Sequence, residues 1–461
     1  MKRLFRLMKE SMRDTERDYT VMGLRRAIVL LSVPMILEMG MEALFAIVDV
    51  YFVSRLGVEA TSTVGITESM LVIVYSLAWG LGMGATALVA RRTGEKDRAG
   101  ARVAAAQSVT IAVLIGLALA IPGALLAPDL LRLMGAEDAV IATGSGYARL
   151  MMASNVVIML LFAINASFRG VGRANMALRS LALANAINIV LDPVLILGLG
   201  PFPEMGVAGA ATATTIGRTC GVLFQLYHLF RKEGPFNIHL PDLRPVKRVV
   251  QGILKVAIGG AGQFLIPSAS WLFLYRIIAS SGTDAVAGYT VAVRIIIFAL
   301  LPAWGMANAA ATLVGQNLGA GHPERAQRST WLCGHYNMAF LVLVTVFFWV
   351  GAPWVVSLFG QNGAADTIAV LALRVISAGY FFYGYGMVLA QAFNGAGDSM
   401  TPTRLNLVCF WAIEIPLAYV LARMLALGPL GVFLAIAVSE SILAVIAAIV
   451  FQRGKWKEVK V

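Results

Sequence analysis

Long apolar runs alternate with short polar segments along nearly the whole chain of 461 residues. A run of about 20 apolar residues is what an α-helix needs to cross the hydrocarbon core of a bilayer. The runs are too long for the ten-residue alternating strands of a membrane barrel, and backbone groups in lipid must be paired internally, so we expect helices. The predicted spans lie near residues 27–53, 60–89, 104–127, 145–167, 177–199, 207–230, 251–279, 286–314, 330–350, 367–393, 405–424 and 430–451.

The sequence also contains an internal repeat, in which residues 57–94 align without a gap on residues 282–319, an offset of 225 positions. Nine positions are identical, including the pairs Trp79/Trp304 and Gly94/Gly319, where composition alone would give roughly three. Duplication of a six-helix unit is common in transporters. We therefore expect an all-α integral membrane protein with twelve transmembrane helices in two pseudo-symmetric six-helix lobes.

Composition fits this class, since 59% of the residues are hydrophobic and only 13% are charged, against about one-quarter charged in soluble domains. The predicted division follows the repeat and the polar segments around it. The segments are a cytoplasmic N-terminal tail (1–24), an N-lobe with spans 1 to 6 (25–231), a cytoplasmic linker (232–250), a C-lobe with spans 7 to 12 (251–452) and a cytoplasmic C-terminal tail (453–461).

The net charge of +12 follows the topology of the chain. Lys and Arg crowd the two tails and the loops at 91–102, 169–179, 231–255 and 325–328, which all lie on one side if the spans alternate. The positive-inside rule then places both termini in the cytoplasm of a multi-pass protein of the cytoplasmic (inner) membrane. The expected partner of the surface is the lipid bilayer, and no nucleic-acid partner is expected.

No sequence motif indicates an enzyme or a bound cofactor. The cysteines Cys220, Cys333 and Cys409 show no CxxC spacing and are expected to be packing residues. A nucleotide-binding loop, HExxH and GxSxG are also missing from the sequence. Energy for transport is therefore expected from an ion gradient.

Carboxylates inside apolar spans are the most informative residues, because each costs several kcal/mol in hydrocarbon unless it faces a partner or water. At the offset of 225, Asp49 corresponds to Leu274 and Asp192 to Leu417, so the second copy lacks these acids. A role in the scaffold would tend to recur in both copies, so we expect the N-lobe to carry the function. Its buried acids are Glu38, Glu42 and Asp49 in span 1, Glu68 in span 2 and Asp192 in span 5.

Asn188 and Asp192 are four residues apart and so share one face of a helix. Pro193 frees a carbonyl near residue 189, which adds a possible oxygen ligand. If Asp49 approaches this face, the oxygens would suit Na⁺, or the two carboxyls could share a proton. The remaining interpretation is that each acid only joins neighbouring helices by hydrogen bonds.

Further residues inside the spans have more than one interpretation. Pro34 would break the hydrogen-bond ladder of span 1, and its repeat partner is Gly259, so these positions could be hinges or ordinary packing kinks. Arg218 and Arg294 are expected to pair with Glu440 or Glu414, or to neutralise an anionic substrate group. Glu414 could instead form a second site.

Several strings together resemble the multidrug and toxic compound extrusion (MATE) family, in particular its DinF-like branch. They are Leu31-Ser-Val-Pro34, Asp49 before Val53-Ser-Arg-Leu-Gly57, Ala90-Arg-Arg-Thr-Gly94, Tyr147-Ala-Arg149, Asn165 before Phe168-Arg-Gly170, Asn188-Ile-Val-Leu-Asp192-Pro193 and Gly206-Val-Ala-Gly-Ala-Ala. The resemblance implies export of organic cations and other amphipathic toxins in exchange for Na⁺ or H⁺.

The resemblance also implies an ion site in the N-lobe. Its residues would be Asp49, Asn188, Asp192, Thr214, Tyr147 and Asn165, and Na⁺ would be held by Asp49, Asn188, Asp192 and Thr214. Where another branch of the family carries a Glu in span 7, this chain has only Gln263, Ile266 and Pro267. A C-lobe cation site of that type is therefore not expected.

The sequence thus predicts a monomeric secondary antiporter for small amphipathic, cationic, drug-like compounds, coupled to H⁺ or Na⁺ by alternating access. A flippase for lipid-linked saccharides is the first alternative, because such exporters share the two-lobed plan. The second alternative is a membrane scaffold or sensor that does not transport.

Overall fold

The computed structural model describes residues 2–359 and 363–460, and the regular elements in this part of the chain are helical. The first six spans are Leu24–Val53, Val58–Gly94, Arg98–Leu125, the pair Asp138–Ala153 and Asn155–Gly170, Ala174–Leu197 and Gly206–Phe230. The last six are Lys247–Ala279, Thr283–Gly319, Pro323–Ser357, the pair Ala364–Ala378 and Tyr380–Ala396, Met400–Met424 and Pro429–Gln452.

Ten of these helices are long and apolar enough to cross a membrane, and the bent pair that forms span 10 makes eleven. The remaining span, Gly206–Phe230, has 25 residues, which exceeds the ~20 needed to cross. The all-helical, twelve-span fold class predicted from the sequence is confirmed.

Some local features were not foreseen from the apolar runs. A helix precedes span 1 (Lys2–Ser11), and a short helix follows span 3 (Ala127–Leu133). Span 10 bends by 61° between its two helices. Span 11 contains two π-helical stretches, Leu407–Glu414 and Val420–Met424. π-Helical turns are rare and are frequently found at functional sites.

Basic loops and both tails meet at one end of the bundle, which we call the basic end. The contacts there are the ion pairs Arg98–Glu16, Arg173–Asp14 and Lys457–Glu324, and the hydrogen bonds from Arg325 to the carbonyl of Tyr19 and from Arg91 to the carbonyl of Val459. The linker joins them, since Gln107 donates to the carbonyls of Asp242 and Arg244. The two tails therefore lie at the same end of the bundle.

Spans 2 and 8, the equivalent helices of the two copies, pack backbone against backbone at the basic end. A Cβ on Gly94 would lie 2.0 Å from the carbonyl oxygen of Gln316, and one on Gly319 would lie 2.1 Å from that of Arg91. The side chain of Gln316 also donates to the carbonyl of Gly170 at 2.8 Å. The bundle is therefore closed at the basic end, and glycine at both repeat positions permits the closure.

We expect Gly94→Ala to destabilise this closed arrangement by about 1–3 kcal/mol, because the new methyl group overlaps backbone that cannot rotate away. The matched control is Gly65→Ala in the same helix, where a Cβ meets nothing within 4 Å and loss of glycine should, if anything, stabilise the helix by about 0.5–1 kcal/mol. Thermal unfolding of the purified proteins in one detergent measures both. Equal midpoints for the two variants would contradict the close approach.

Candidate functional site

Spans 5 and 6 bring three of the predicted site residues into direct contact. Asn188 donates from Nδ2 to Oδ1 of Asp192 at 3.1 Å and to Oγ1 of Thr214 at 3.3 Å. Gly217 permits this approach of the helices, since a Cβ there would lie 2.6 Å from the carbonyl oxygen of Ala184. The four-residue spacing puts the amide and the carboxylate on one face, and the small residue places the hydroxyl beside them.

Two oxygens of this cluster lack any hydrogen-bond donor among the described residues. Oδ2 of Asp192 and Oδ1 of Asn188 are buried and unpartnered, and both side chains are fully enclosed. Buried polar atoms almost always have a partner, and an isolated carboxylate in a low-dielectric interior is strongly disfavoured. The cluster therefore has the chemistry to take up a proton or a small cation with oxygen ligands.

Asp49 of span 1 is buried beside this cluster, with 8% of its surface exposed. Its charge acts on Asp192 and on Tyr147 of span 4, whose side chain is also buried. Spans 1 and 5 are tied together here, because Asn185 donates from Nδ2 to the carbonyl of Met41 at 2.7 Å. The structure thus gathers the two acids that the sequence singled out.

Asn165 is the predicted site residue that lies apart from this contact. It is buried, and its Oδ1 accepts a hydrogen bond from Nε2 of Gln225 on span 6. The described hydrogen bonds do not join it to Asp49, Asn188, Asp192 or Thr214. The sequence reasoning missed Gln225, although an amide within an apolar span was a signal that could have found it.

Glu38 forms a buried ion pair with Arg169, in which the nitrogen and the carboxylate oxygen are 2.8 Å apart. Both side chains are more than nine-tenths buried. We placed Arg169 in a basic loop, and that interpretation is wrong, because span 4 continues as a helix to Gly170. Glu38 is therefore a structural tether between spans 1 and 4.

The predicted pairing of arginines with acids of the last spans is also wrong for the described residues. Arg218 donates to the hydroxyl of Tyr75 at 3.0 Å, and its guanidinium lies 5.1 Å from the centre of the Phe45 ring. Its charge acts on the partly buried Glu42 of span 1. Arg294 is exposed, and its charge acts on Glu68. The guanidinium of Arg218 is thus held by Tyr75 and Phe45.

Pro34 lies inside the continuous helix Leu24–Val53 and is buried. The helix is not interrupted there, although proline removes one backbone hydrogen bond. The tether of Glu38 lies one turn further on and the contact of Met41 lies beyond that. The residues after Pro34 are therefore fixed to spans 4 and 5 before the helix reaches Asp49.

Among the described residues, no group of three or more His, Cys, Asp or Glu side chains could hold a metal ion. The predicted Na⁺ ligands are a mixed set of two carboxylates, an amide and a hydroxyl, on Asp49, Asp192, Asn188 and Thr214. Such hard oxygen donors suit an alkali cation or a proton better than a transition metal.

The MatE family profile matches two segments of the chain, residues 34–194 and 261–420. Together they cover more than half of the sequence. The chain belongs to the MATE family. The two matches also reproduce the internal repeat, since each falls on one copy.

Curated relatives in the MATE family extend over nearly the whole chain. A probable multidrug resistance protein of Bacillus subtilis, YoeA, is 26% identical over 416 residues, covering 88% of this chain and 89% of the relative. The probable multidrug resistance protein NorM of Thermotoga maritima is 25% identical over 438 residues, covering 94% of each.

A solved MATE structure has the same fold. It is described as an outward-facing conformation of a multidrug resistance transporter, with a TM-score of 0.90, 28% sequence identity, and coverage of 95% of this chain and 98% of that one. This likeness supports the twelve-span MATE fold.

The tether between spans 1 and 4 gives a testable prediction. We expect Glu38→Gln to destabilise the protein by about 3–5 kcal/mol, because it leaves the buried guanidinium of Arg169 without a counter-charge. Asp129→Asn is the control, since its pair with Arg132 is exposed and worth about 0–1 kcal/mol. Thermal unfolding checks both, and the double variant E38M/R169M should recover much of the loss. A Glu38→Gln protein as stable as the control would refute the tether.

Proposed function

We propose that this MATE protein is a secondary antiporter of the cell membrane that exports amphipathic, cationic compounds in exchange for H⁺ or Na⁺. The observation that carries the proposal is the enclosed pair of acids Asp49 and Asp192, which form no ion pair among the described residues and lie beside unpartnered oxygens. Charges inside a membrane are retained where they bind ions or substrates. The names of the relatives, multidrug resistance proteins of bacteria, support export as the direction.

Coupling would arise because one ion changes the charge of a site that spans 1 and 5 share. With both carboxylates ionised, Asp49 and Asp192 repel each other across the two helices. A bound proton or Na⁺ removes that repulsion and draws the helices together. Span 1 moves as the responding element, and its attachment through Met41 and Asn185 passes the change to span 5.

The charges around the site favour a cationic substrate. Asp49, Glu42 and Glu68 lie on spans 1 and 2, and Arg218 is the cation that acts on all three. The guanidinium of Arg218 is already held by Tyr75 and Phe45. The three acids outnumber the two arginines Arg218 and Arg294, the second of which acts on Glu68, so an organic cation would gain more here than an anion. Binding of the coupling ion at Asp49 would weaken that attraction and release the substrate.

We expect Asp49→Asn and Asp192→Asn each to lower coupled efflux at least about tenfold, since a lost ligand worth about 1.4 kcal/mol changes ion affinity that much. Efflux of a cationic dye from proteoliposomes measures this. Asp129→Asn, an exposed acid of the helix Ala127–Leu133, is the matched control and should transport as the unchanged protein does. Retained transport by both site variants, with normal folding, would refute the coupling site.

The coupling ion can be identified with the unchanged protein. We expect dye movement to be driven by one imposed gradient alone, either Na⁺ at equal pH or H⁺ without Na⁺, because one set of oxygens serves one ion at a time. Asp192→Asn should abolish that response. Movement of a fluorescent lipid but of no soluble cation would instead favour the flippase alternative.

A further inference from the structure

A second cluster of enclosed acids lies in the last six spans, away from Asp49 and Asp192. Glu414 of span 11 has 1% of its surface exposed, and its Oε1 is buried without a hydrogen-bond partner among the described residues. Glu440 of span 12 is partly buried, and its Oε2 is likewise enclosed and unpartnered. Spans 11 and 12 pack against each other, and the charge of Glu440 acts on Glu414.

Tyrosines from two other helices surround this pair. The charge of Glu414 acts on Tyr289 of span 8, that of Glu440 acts on Tyr380 of span 10, and both act on Tyr383. The hydroxyl of Tyr380 is itself unpartnered, although 97% of that residue is buried. This unpartnered hydroxyl is an independent indication that the space holds a hydrogen-bonding group that is not part of the protein.

Among the described residues, no cation neutralises the pair of Glu414 and Glu440. No Lys, Arg or His forms an ion pair with Glu414 or Glu440, and the charges that act on Glu414 come from Glu440 alone. Facing groups are the three tyrosines and, from span 11 itself, Cys409. Span 7, which also packs here, contributes no charged side chain that acts on either acid. Two carboxylates in such a setting cannot both remain ionised.

The internal repeat relates this cluster to the site of the first copy. At the offset of 225, Glu414 falls on Ile189 and Glu440 on Thr215, each one residue past Asn188 and Thr214. The stretch Leu407–Glu414 is π-helical, and π-helical bonding encloses one residue more per turn than α-helical bonding. Glu414 and Glu440 therefore lie on the spans that correspond to those of Asn188 and Thr214, one position further along each helix.

We propose that Glu414 and Glu440 form a proton-binding site in the last six spans, on the helices that correspond to those of Asn188 and Thr214 in the first six. The pair shares one exchangeable proton, whose O–H bond forms on one carboxylate while the other accepts a hydrogen bond. The phenol of Tyr380 completes the site as a donor. The existence of this proton-binding site does not depend on whether Asp49 and Asp192 couple transport.

Infrared difference spectroscopy of the purified protein in proteoliposomes tests this site directly. The C=O stretching band of protonated carboxyl groups is followed against pH, in the background D49N/D192N so that the first site does not contribute. We expect a band that disappears as pH rises, shifts in D₂O and is the same in Na⁺ and K⁺ buffers. The double variant E414Q/E440Q should lose it. In each single variant the remaining glutamate should give up its proton more readily, because the repulsion from its neighbour is gone.

Folding is monitored in parallel by thermal unfolding, and Tyr380→Phe serves as a milder variant that keeps both acids. We expect Tyr380→Phe to move the pH at which the band disappears without removing the band. An unchanged band in E414Q/E440Q would overturn the proposal, and so would a band that Na⁺ displaces at constant pH. If Asp192→Asn loses efflux while this band stays intact, the Glu414–Glu440 site is supported independently of the proposed coupling site.

Discussion

The cost of an uncompensated charge in hydrocarbon is the constraint on which this structure depends. Each ionisable group inside the bundle must be paired, be held by aromatic rings or bind something. Glu38 and Arg169 meet the requirement as a pair, and Arg218 meets it with Tyr75 and Phe45. Among the described residues, Asp192 and Glu414 form no ion pair, and each also keeps an enclosed oxygen without a donor. The exceptions to pairing are therefore the places where we propose that ions bind.

Small residues decide where the helices can meet closely enough for such sites to form. At the basic end, Gly94 and Gly319 let spans 2 and 8 touch through their backbones. Between spans 5 and 6, Gly217 does the same and brings Thr214 to Asn188. Without a hydrophobic driving force between helices in lipid, this close packing is a main source of association. The closure at the basic end and the contact between Asn188 and Thr214 thus both depend on glycine at a close approach of two helices.

Much of the fold could be predicted because its signals are local in sequence. Run length gave the spans, and the repeat offset gave two matching sets of helices. Spacing alone put Asn188 and Asp192 on one face, where they indeed bond. Partners across helices were harder. Arg169 was assigned to a loop and Gln225 was overlooked, because the choice of partner depends on how each helix is rotated about its axis. The π-helical stretches of span 11 follow from tertiary packing that no periodicity reveals.

The repeat first indicated that only one copy carries acids at the functional positions, since Asp49 and Asp192 are replaced by leucines in the second. The structure changes that argument. Glu414 and Glu440 lie on spans 11 and 12, the counterparts of the spans that carry Asn188 and Thr214, and each falls one position past the aligned residue. Comparison at a fixed offset concealed this relation, because it pairs single positions and not neighbouring positions on a helix. Duplication therefore conserved the place for polar chemistry between the fifth and sixth helices of each copy, while the residues there diverged.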